Sequence, residues 1–507
     1  MGRYDANAAG ARLTGVPAYS KQAPAERTGL TRHAAARLIA LGALALASLP
    51  LYARIGAITQ AGTVLLLPAM ALTLIAVVAC WMVLGSRPAA SQRVRWLELA
   101  LIALAGVAFR ALFLGTPPAL SQDAYRYVWD AHLVAHGVSP YTHIVTDPAL
   151  AALRDSVIWP RVSWRGSPTL YPPGAQLAFL LVHWLAPLNI TAMQLFMALC
   201  DLLCGALTVV LLRQRGLDPR RAIVYWWSPL PVLEFTASAH VDALATLWVL
   251  AALAVAGTRW RLARPVAGVL LGLAVMTKLY PLLFAVALVR RRDWGFVLAL
   301  GATCLALAAP FVPLGLGGGG FLGTYFAQRF GDQGLAFRLI TTVFVNGHIQ
   351  LALQVLGLLA ACALVASLRL RRGLPPAAAI LVLSAGWIVF APHLFPWYVG
   401  LLLPLLALSL RLPAFPAPGR HVIASHHAMR ALPAMRGLAP EDALALWLFV
   451  LLMPFTYVIF APGQRQGLFL LFFLVPLALA AYPRLARRLR TANAGALIAA
   501  RPLPSKE

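Results

Sequence analysis

The sequence predicts an all-α polytopic membrane protein, and three observations support this fold class. Of the 507 residues, 61% are hydrophobic and 11% are charged, and the mean hydropathy is +0.78. Apolar runs of roughly 20 residues, the length that an α-helix needs to cross a bilayer, recur along the whole chain. The arginines stand in short clusters between these runs, a pattern that orients helices in a membrane.

The formal net charge of +26 at pH 7 could also indicate a nucleic-acid partner. A nucleic-acid-binding surface needs basic residues in patches or stripes, commonly interleaved with exposed aromatic side chains. Here the basic clusters are separated by apolar runs, so we expect no nucleic acid as a partner. The lipid bilayer is the predicted surrounding of most of the chain.

The positive-inside rule predicts the sidedness of the first spans. If the arginines of residues 1–37 are cytoplasmic, spans near 38–53 and 62–84 return the chain to a second basic cluster on the same side. Residues 1–95 therefore form a cytoplasmic N-terminus with two spans. A third span, at 96–114, then leads out of the cytoplasm.

Residues 115–171 form the longest predicted external loop, because this stretch is too polar to cross the bilayer. Its tryptophans, Trp129, Trp159 and Trp164, predict interfacial helices that lie on the membrane surface. The apolar residues 173–188 are interpreted as a surface or re-entrant helix, since a full crossing would place the following arginines outside.

The rest of the chain alternates consistently between apolar spans and cytoplasmic arginines, and in all we expect about 12 to 14 crossings. Two short segments form a hairpin that points outwards. The further predicted segments are 190–212, 222–237, 239–257, 265–277 and 279–289 (the hairpin), 294–313, 349–368, 376–391, 395–410, 442–460 and 466–483.

This topology divides the chain after residue 95. Residues 96–410 form the main membrane core, which carries both external loops, the second of them at about 314–348. Residues 411–441 form a cytoplasmic loop. Residues 442–507 contribute two C-terminal spans and a basic tail.

Carboxylates are informative because the chain has only 16 acidic residues, and an unpaired carboxylate in or near hydrocarbon is costly. Acids at predicted cytoplasmic ends, Glu98 among them, are explained by solvation. Asp201 is predicted to lie near the middle of a span. The remaining acids gather towards the outer side: Asp123, Asp130, Asp147, Asp155 and Asp332 in the external loops, and Glu234 and Asp242 at an external turn.

Asp123 and Asp130 belong to the segment SQDAYRYVWDAHLVAHGVSPY. Read as a helix, this segment places Asp123, Tyr127 and Asp130 on one face, at spacings of four and three residues. A carboxylate at the membrane surface can serve as general base towards a sugar hydroxyl. The alternative is a loop acid that pairs with Arg126 or His132, and the spacing alone does not decide between them.

Lysine usage singles out one more residue. The chain carries 42 basic residues in total, and its lysines are Lys21, Lys278 and Lys506, so only Lys278 lies within the apolar body. At the tip of the predicted hairpin, in MTKLYP, its compact ammonium could hold a phosphate as a point charge. Snorkelling of the side chain to the interface is the alternative explanation.

The residues between Ser121 and Pro404 resemble the GT-C superfamily of polyprenyl-phosphate-sugar-dependent glycosyltransferases. The resemblance is greatest to bacterial mannosyltransferase-like members and to the catalytic subunit of the first glycosylphosphatidylinositol mannosyltransferase. It does not extend to the first two or the last two spans. It rests on the order of these blocks: DAYRYVWDAHLVAHGVSPY, LYPPGAQ, CDLL, WWSPLPVLEFTASAHVDA, GLAVMTKLYPLLF, TYF and HLFPWYVGLLLPLL.

The resemblance implies a GT-C-type helix bundle that catalyses an inverting transfer of a sugar, expected to be mannose. The donor is a polyprenyl-phosphate-linked sugar, and the acceptor is a hydroxyl of a glycan or lipid at the noncytoplasmic face. By motif position Asp123 is the catalytic base, and Asp130 matches a second acidic position with a structural or acceptor-orienting role. Relatives often carry paired acids where this chain has Gln122, so we expect no cofactor and no metal dependence.

The donor side of the expected site follows from the same resemblance. Lys278 matches the partner of the donor phosphate, with Arg329, Arg110 or Arg126 as possible helpers. Residues of two further blocks are expected near the sugar or the lipid phosphate: His240 and Asp242 in SAHVDA, and His393 and Tyr398 in HLFPWY. Helix capping by Asp242 and an interfacial role of Tyr398 and Trp397 are the structural alternatives.

Other functions stay open at this stage. A transporter or flippase for a lipid-linked glycan would place ionisable groups near the bilayer midplane, in paired repeats, and we see no internal repeat. A noncatalytic partner in envelope-glycan assembly is the third possibility. Tyr171, with the two prolines after it, is expected to play a structural role as a rigid approach to the next helix. The composition suggests a bacterial inner membrane, with the site facing the periplasm or exterior.

Overall fold

A computed structural model of the chain describes residues 31–58, 62–86, 91–316, 334–412 and 440–457, with a few positions between 474 and 481. Every regular element among these residues is helical, which confirms the predicted all-α class. Several of the helices are apolar and long enough to span a membrane, so the polytopic membrane class is confirmed as well.

The helices are numbered in chain order. The first half contains α1 (Arg32–Gly56), α2 (Leu66–Leu84), α3 (Gln92–Ala111), α4 (Asp123–Ala135), α5 (Pro173–Leu185), α6 (Ile190–Gln214), α7 (Ile223–Trp226), α8 (Pro229–Pro231) and α9 (Asp242–Ala256). The second half contains α10 (Ala263–Thr277), α11 (Ala285–Leu288), α12 (Trp294–Ala308), α13 (Leu335–Val343), α14 (Gly347–Arg372), α15 (Pro376–Phe390), α16 (Leu402–Ala407) and α17 (Pro440–Leu452). Two π-helical segments, Val232–Ala237 and Val312–Leu316, and several 3-10 turns complete the described elements, the turns at Thr63–Leu65, Pro148–Leu153, Trp159–Arg161, Pro219–Ala222, Tyr280–Phe284, Ala309–Phe311, Pro396–Val399 and Met453–Tyr457.

The candidate membrane spans among the described residues lie between Arg32 and Arg372. Pro229–Ala237 and Asp242–Ala256 form a sixth candidate span if they are counted together across their 116° bend. Helix α5, at about 20 Å, is shorter than the bilayer core of about 30 Å, in keeping with a re-entrant segment. The count of 12 to 14 crossings and the division into regions remain predictions. Five helices are long and apolar enough to cross by themselves: Arg32–Gly56, Thr63–Leu84, Ile190–Gln214, Trp294–Leu316 and Gly347–Arg372.

The long loop after α3 carries a helix that packs into the bundle. Helix α4 packs against α5 and α6, and its Trp129 is fully buried in the hydrophobic core. Neighbouring helices therefore enclose the indole, and Trp129 is a core residue and not an exposed interfacial anchor. The position of α4 relative to the membrane surface stays a prediction. Trp164 is exposed and Trp159 is half-buried.

Glycines allow the central helices to approach one another closely, as small residues do in membrane bundles. A Cβ on Gly268 of α10 would lie 2.3 Å from the backbone oxygen of Phe296 in α12. A Cβ on Gly205 of α6 would overlap the indole of Trp226, at 1.3 Å from Nε1. These contacts fix how α10 and α6 sit against the segments that carry the polar residues.

A buried ion pair lies inside the bundle between α3 and α6. Arg110 donates from Nε to Asp201 Oδ2 at 2.7 Å and from Nη2 to Asp201 Oδ1 at 3.0 Å. Tyr225 and Thr236 donate their hydroxyls to the same carboxylate, at 2.5 and 3.2 Å. The interior position predicted for Asp201 is correct, and its charge is compensated as burial in an apolar interior requires.

Glu98 corrects a second expectation. Solvation does not explain this residue, because its side chain is fully buried. It accepts a hydrogen bond from Arg37 Nε at 2.6 Å and another from Arg220. Glu98, on α3, thus links α1 to the segment after α6. The two guanidinium groups supply the hydrogen bonds and the positive charge that replace the hydration of the carboxylate.

Candidate active site

Helix α4 begins at the wall of a cavity of about 400 Å³, which lies within the size range of small-molecule sites. Five residues that were expected at the site from the sequence line this one space, namely Asp123, Arg126, Lys278, His393 and Tyr398. The further lining residues are Ala119, Leu120, Ser121, Gln122, Ser163, Trp164, Ser167, Pro168, Leu170, Tyr171, Phe395 and Trp397.

Asp123 is the first residue of α4, where the helix dipole favours a negative charge. Its carboxylate accepts a hydrogen bond from Ser163 Oγ at 3.2 Å and another from the Tyr171 hydroxyl at 3.1 Å. The residue is 9% exposed, so it reaches the cavity while its orientation is set by these two donors. A carboxylate held in this way is geometrically suited to accept a proton from a bound hydroxyl.

Asp130, about two turns further along α4, occupies a different environment. It is fully buried, accepts from Arg126 Nε at 2.7 Å and from Gln176 Nε2 at 3.2 Å, and lies outside the cavity lining. Arg126 in turn donates to the backbone oxygens of Trp164 and Ser167, at 3.2 and 3.1 Å. Asp130 therefore fixes Arg126, and Arg126 holds the loop that forms one wall.

The start of α5 brings Lys278 to the cavity. Gly174 packs so closely on the end of α10 that a Cβ there would lie 2.7 Å from the backbone oxygen of Met276. Lys278 follows α10 directly, and Tyr171 precedes α5. The contact through Gly174 thus places the ammonium of Lys278 5.3 Å from the centre of the Tyr171 ring.

Lys278 has three partners in the described residues. Its Nζ lies 3.3 Å from Asp242 Oδ2 and 5.3 Å from the rings of both Tyr171 and Tyr398. Its side chain is 12% exposed, and aromatic faces attract a cation at such distances. The ammonium is therefore held at the cavity wall by a carboxylate and two aromatic rings, with one side open to a ligand.

The segment before α9 is bent sharply. The π-helical turn Val232–Ala237 ends in a 116° change of direction, and Ala239 adopts a φ of +55°. This left-handed conformation is strained for a residue with a side chain and is found mainly where function requires it. The bend delivers His240 and Asp242 to the beginning of α9, and Asp242 contacts Lys278 instead of capping the helix with its side chain.

His240 lies immediately behind Asp123. It is fully buried, its Nε2 lies 4.0 Å from Asp123 Oδ2, and its ring stacks on Trp397 with centroids 3.8 Å apart. On its other side Nδ1 lies 3.1 Å from Glu234 Oε2 and 3.0 Å from the Glu234 backbone oxygen. His240 does not line the cavity, so it is placed to contact the carboxylate and not a bound ligand.

His393 lies in the loop that follows α15, and Tyr398 lies in the next turn, Pro396–Val399. Their ring centroids are 5.8 Å apart. Burial, and secondarily the positive charge of Lys278, lowers the pKa of His393 to about 4. The imidazole is therefore neutral near neutral pH, where it can act as a hydrogen-bonding group but not as a cation.

The remaining predicted residues are placed differently. Arg329 lies outside the described residues, and Arg110 is engaged by Asp201 away from the cavity. Within the described part of the chain, no cluster of three His, Cys, Asp or Glu side chains is arranged to hold a metal ion.

Two residues of the site were not expected from the sequence, and a third has contacts beyond the structural role expected for it. Ser163 and Glu234 escaped attention as partners of Asp123 and His240, because their contacts span long sequence separations. Tyr171 was interpreted as structural, yet its hydroxyl binds Asp123 and its ring lines the cavity. Its place in the block LYPPGAQ was the one available signal.

Comparison with known proteins gives one match. A family model described as alpha-(1→6)-mannopyranosyltransferase, N-terminal domain, matches residues 28–291. These residues include α4, the strained turn before α9, and Lys278. No curated protein and no solved structure matches the chain.

Proposed function

Because the chain belongs to the alpha-(1→6)-mannopyranosyltransferase family, a GT-C mannosyltransferase-like family whose model matches more than half of it, we propose a specific transfer reaction. The chain is an integral membrane glycosyltransferase of the mannosyltransferase type. We propose that it moves mannose from a polyprenyl-phosphate donor to a hydroxyl of a glycan or lipid acceptor. The observation that carries this proposal is the presence of Asp123 and Lys278 in one cavity.

The proposed reaction is a direct displacement at the anomeric carbon. The acceptor oxygen forms a bond to C1 of mannose, while Asp123 takes the proton of the acceptor hydroxyl. The bond between C1 and the phosphate oxygen breaks, and its electron pair leaves with the polyprenyl phosphate. Displacement inverts the configuration, so a β-linked donor yields the α linkage in the family description.

Lys278 is the proposed partner of the departing phosphate. The leaving group is already stable as an anion, so the protein has to position it and balance its charge. The ammonium of Lys278 is fixed at the wall by Asp242 and two tyrosine rings. His393, neutral near pH 7, can donate or accept a hydrogen bond to the sugar or phosphate from the same wall.

Metal independence is part of the proposal. Among the described residues that line the cavity, Asp123 is the only carboxylate. A hard divalent cation prefers several oxygen ligands, and charge neutralisation by Lys278 makes such a cation unnecessary for the leaving group. We further propose that the cavity faces the noncytoplasmic side, in a bacterial inner membrane, as the arginine clusters predict.

Purified protein supplied with radiolabelled polyprenyl-phosphate mannose and a panel of α-mannoside acceptors tests this function. The native protein should form labelled product, and Asp123→Asn should lower the rate by about 100-fold or more, because a general base contributes that much. Asp147→Asn, a change at a half-buried carboxylate of the same loop that pairs with His143 outside the cavity, serves as matched control and should retain activity. Transfer by Asp123→Asn at the native rate would remove the assigned base.

Two further arms of this experiment separate the remaining parts of the proposal. Addition of a chelator should leave the rate unchanged, and a large loss would contradict metal independence. Replacement of the lipid donor by a nucleotide sugar should abolish transfer. Equal use of both donors would contradict the assignment of the polyprenyl phosphate.

A further inference from the structure

His240 and Glu234 form a chain of ionisable groups that ends at Asp123. Glu234 Oε2 lies 3.1 Å from His240 Nδ1, and His240 Nε2 lies 4.0 Å from Asp123 Oδ2. Both Glu234 and His240 are fully buried, whereas Asp123 reaches the cavity. A carboxylate, an imidazole and a second carboxylate therefore follow one another from Glu234 in the interior of the bundle, through His240, to Asp123 at the cavity.

The contacts of His240 determine which nitrogen carries the proton. Nδ1 faces two acceptors, Glu234 Oε2 at 3.1 Å and the Glu234 backbone oxygen at 3.0 Å, so it is the N–H donor of the neutral ring. Nε2 is then a lone pair, and it has no hydrogen-bond partner among the described residues. This buried, unpartnered acceptor is directed at the oxygen that takes the proton in the proposed reaction.

The surroundings of the ring hold it in this position. His240 stacks on Trp397 at 3.8 Å with an interplanar angle of 21°, and an aromatic face attracts a cation. Glu234 supplies a negative charge on the opposite side, and its Oε2 also accepts from the Tyr457 hydroxyl at 3.1 Å. The strained backbone of Ala239 immediately before His240 is consistent with a position retained for function.

We propose, building on the assignment of Asp123 as base, that His240 is a positioning residue that receives the proton from Asp123 and that Glu234 holds its ring. The acceptor hydroxyl gives its proton to Asp123, and Oδ2 passes it to the lone pair of Nε2. Asp123 becomes an anion again, and the imidazolium is stabilised by Glu234. The gap of 4.0 Å closes by a small movement or through one water molecule.

The pH dependence of the reaction reports on this proton. His240 has to be neutral before each turnover, so its protonation in acid lowers kcat. The Glu234→Gln variant keeps the shape but removes the charge that favours the imidazolium. The ionisable groups facing the pair from the surrounding elements are Asp123, Tyr171, Asp242, Lys278 and Tyr457.

The test measures kcat, the KM for the polyprenyl-phosphate donor, and the pH profile of kcat in the full-length protein. His240→Gln should lower kcat by about 100-fold and change the donor KM less than twofold, because the ring lies behind the base. Glu234→Gln should lower kcat by about tenfold and move the acid limb of the profile to lower pH. His183→Gln, a buried histidine on α5 outside the cavity, is the matched control and should change neither quantity.

Three results would overturn the proposal. Native kcat and pH profile in His240→Gln would show that no proton reaches the ring. A raised donor KM with unchanged kcat would make His240 a substrate-binding residue. If His240→Gln does not fold, the Glu234→Gln variant decides. An acid limb of its kcat–pH profile at the native position would also overturn the proposal. Native activity in Asp123→Asn would instead refute the assignment of the base, so the two failures are distinguishable.

Discussion

Tyr171 donates its hydroxyl proton to Asp123 Oδ2 across 3.1 Å, and the face of the same ring lies 5.3 Å from Lys278 Nζ. One side chain thus bridges the proposed base and the proposed phosphate partner. The two charged groups belong to segments about 150 residues apart in the chain. The close contact between Gly174 and Met276 brings the segment of Tyr171 against that of Lys278, and the Tyr171 hydroxyl reaches Asp123.

Tyr171→Phe should lower the transfer rate by about tenfold, because one hydrogen bond to a charged group contributes about 1.5 kcal/mol or more. The ring and its contact with Lys278 remain, so the donor KM should change little. Steady-state kinetics with varied donor measures both values. A raised donor KM with unchanged kcat would show that Tyr171 acts on the donor alone.

Lys278→Met should raise the donor KM and lower kcat, with kcat/KM falling about 10- to 100-fold, because a charge-assisted hydrogen bond to the phosphate is lost. Lys278→Arg keeps the charge and should recover part of the activity. Binding of free polyprenyl phosphate provides a measurement independent of turnover. Undiminished binding by Lys278→Met would remove the assigned phosphate contact.

Arg110→Met should lower the free energy of unfolding by about 3 to 5 kcal/mol, because it leaves the buried carboxylate of Asp201 without its cation. The double variant Arg110→Met with Asp201→Leu should recover most of that loss. Arg213→Met, on the exposed face of α6, is the control and should have little effect. Unfolding by denaturing detergent in micelles measures these values, and equal losses in single and double variants would contradict the prediction.

Stability should fall in mild acid through His393. Its folded-state pKa of about 4 is below the ordinary value of 6.5, so the unfolded state binds the proton more readily. The stability that depends on neutral His393 is fully present above pH 6.5. As the pH falls towards 4, the free energy of unfolding decreases by up to about 3 kcal/mol. His393→Gln should lack this component of the pH dependence. Parallel stability curves for the two proteins between pH 7.5 and 4.5 would contradict the assignment.

The residues of the site show why sequence reasoning succeeded only in part. Asp123 and Asp130 lie on one face of the same helix, so their spacing alone does not distinguish them, and only the family resemblance predicted different roles for them. The structure separates them, because Arg126 and Gln176 engage Asp130, whereas Ser163 and Tyr171 orient Asp123 towards the cavity. These partners come from other segments, and no local pattern in α4 indicates them.

The sequence by itself determined the all-α membrane class, the mannosyltransferase-like resemblance, and the choice of Asp123 and Lys278, because hydropathy, charge placement and ordered motifs are properties of the chain in one dimension. Tertiary structure alone decided the functional setting of each side chain. Trp129 became core, Glu98 became a buried ion-pair partner, and His240 came to lie between two carboxylates. Such roles depend on distances of 3 to 4 Å between residues far apart in sequence, and packing of the helices sets those distances.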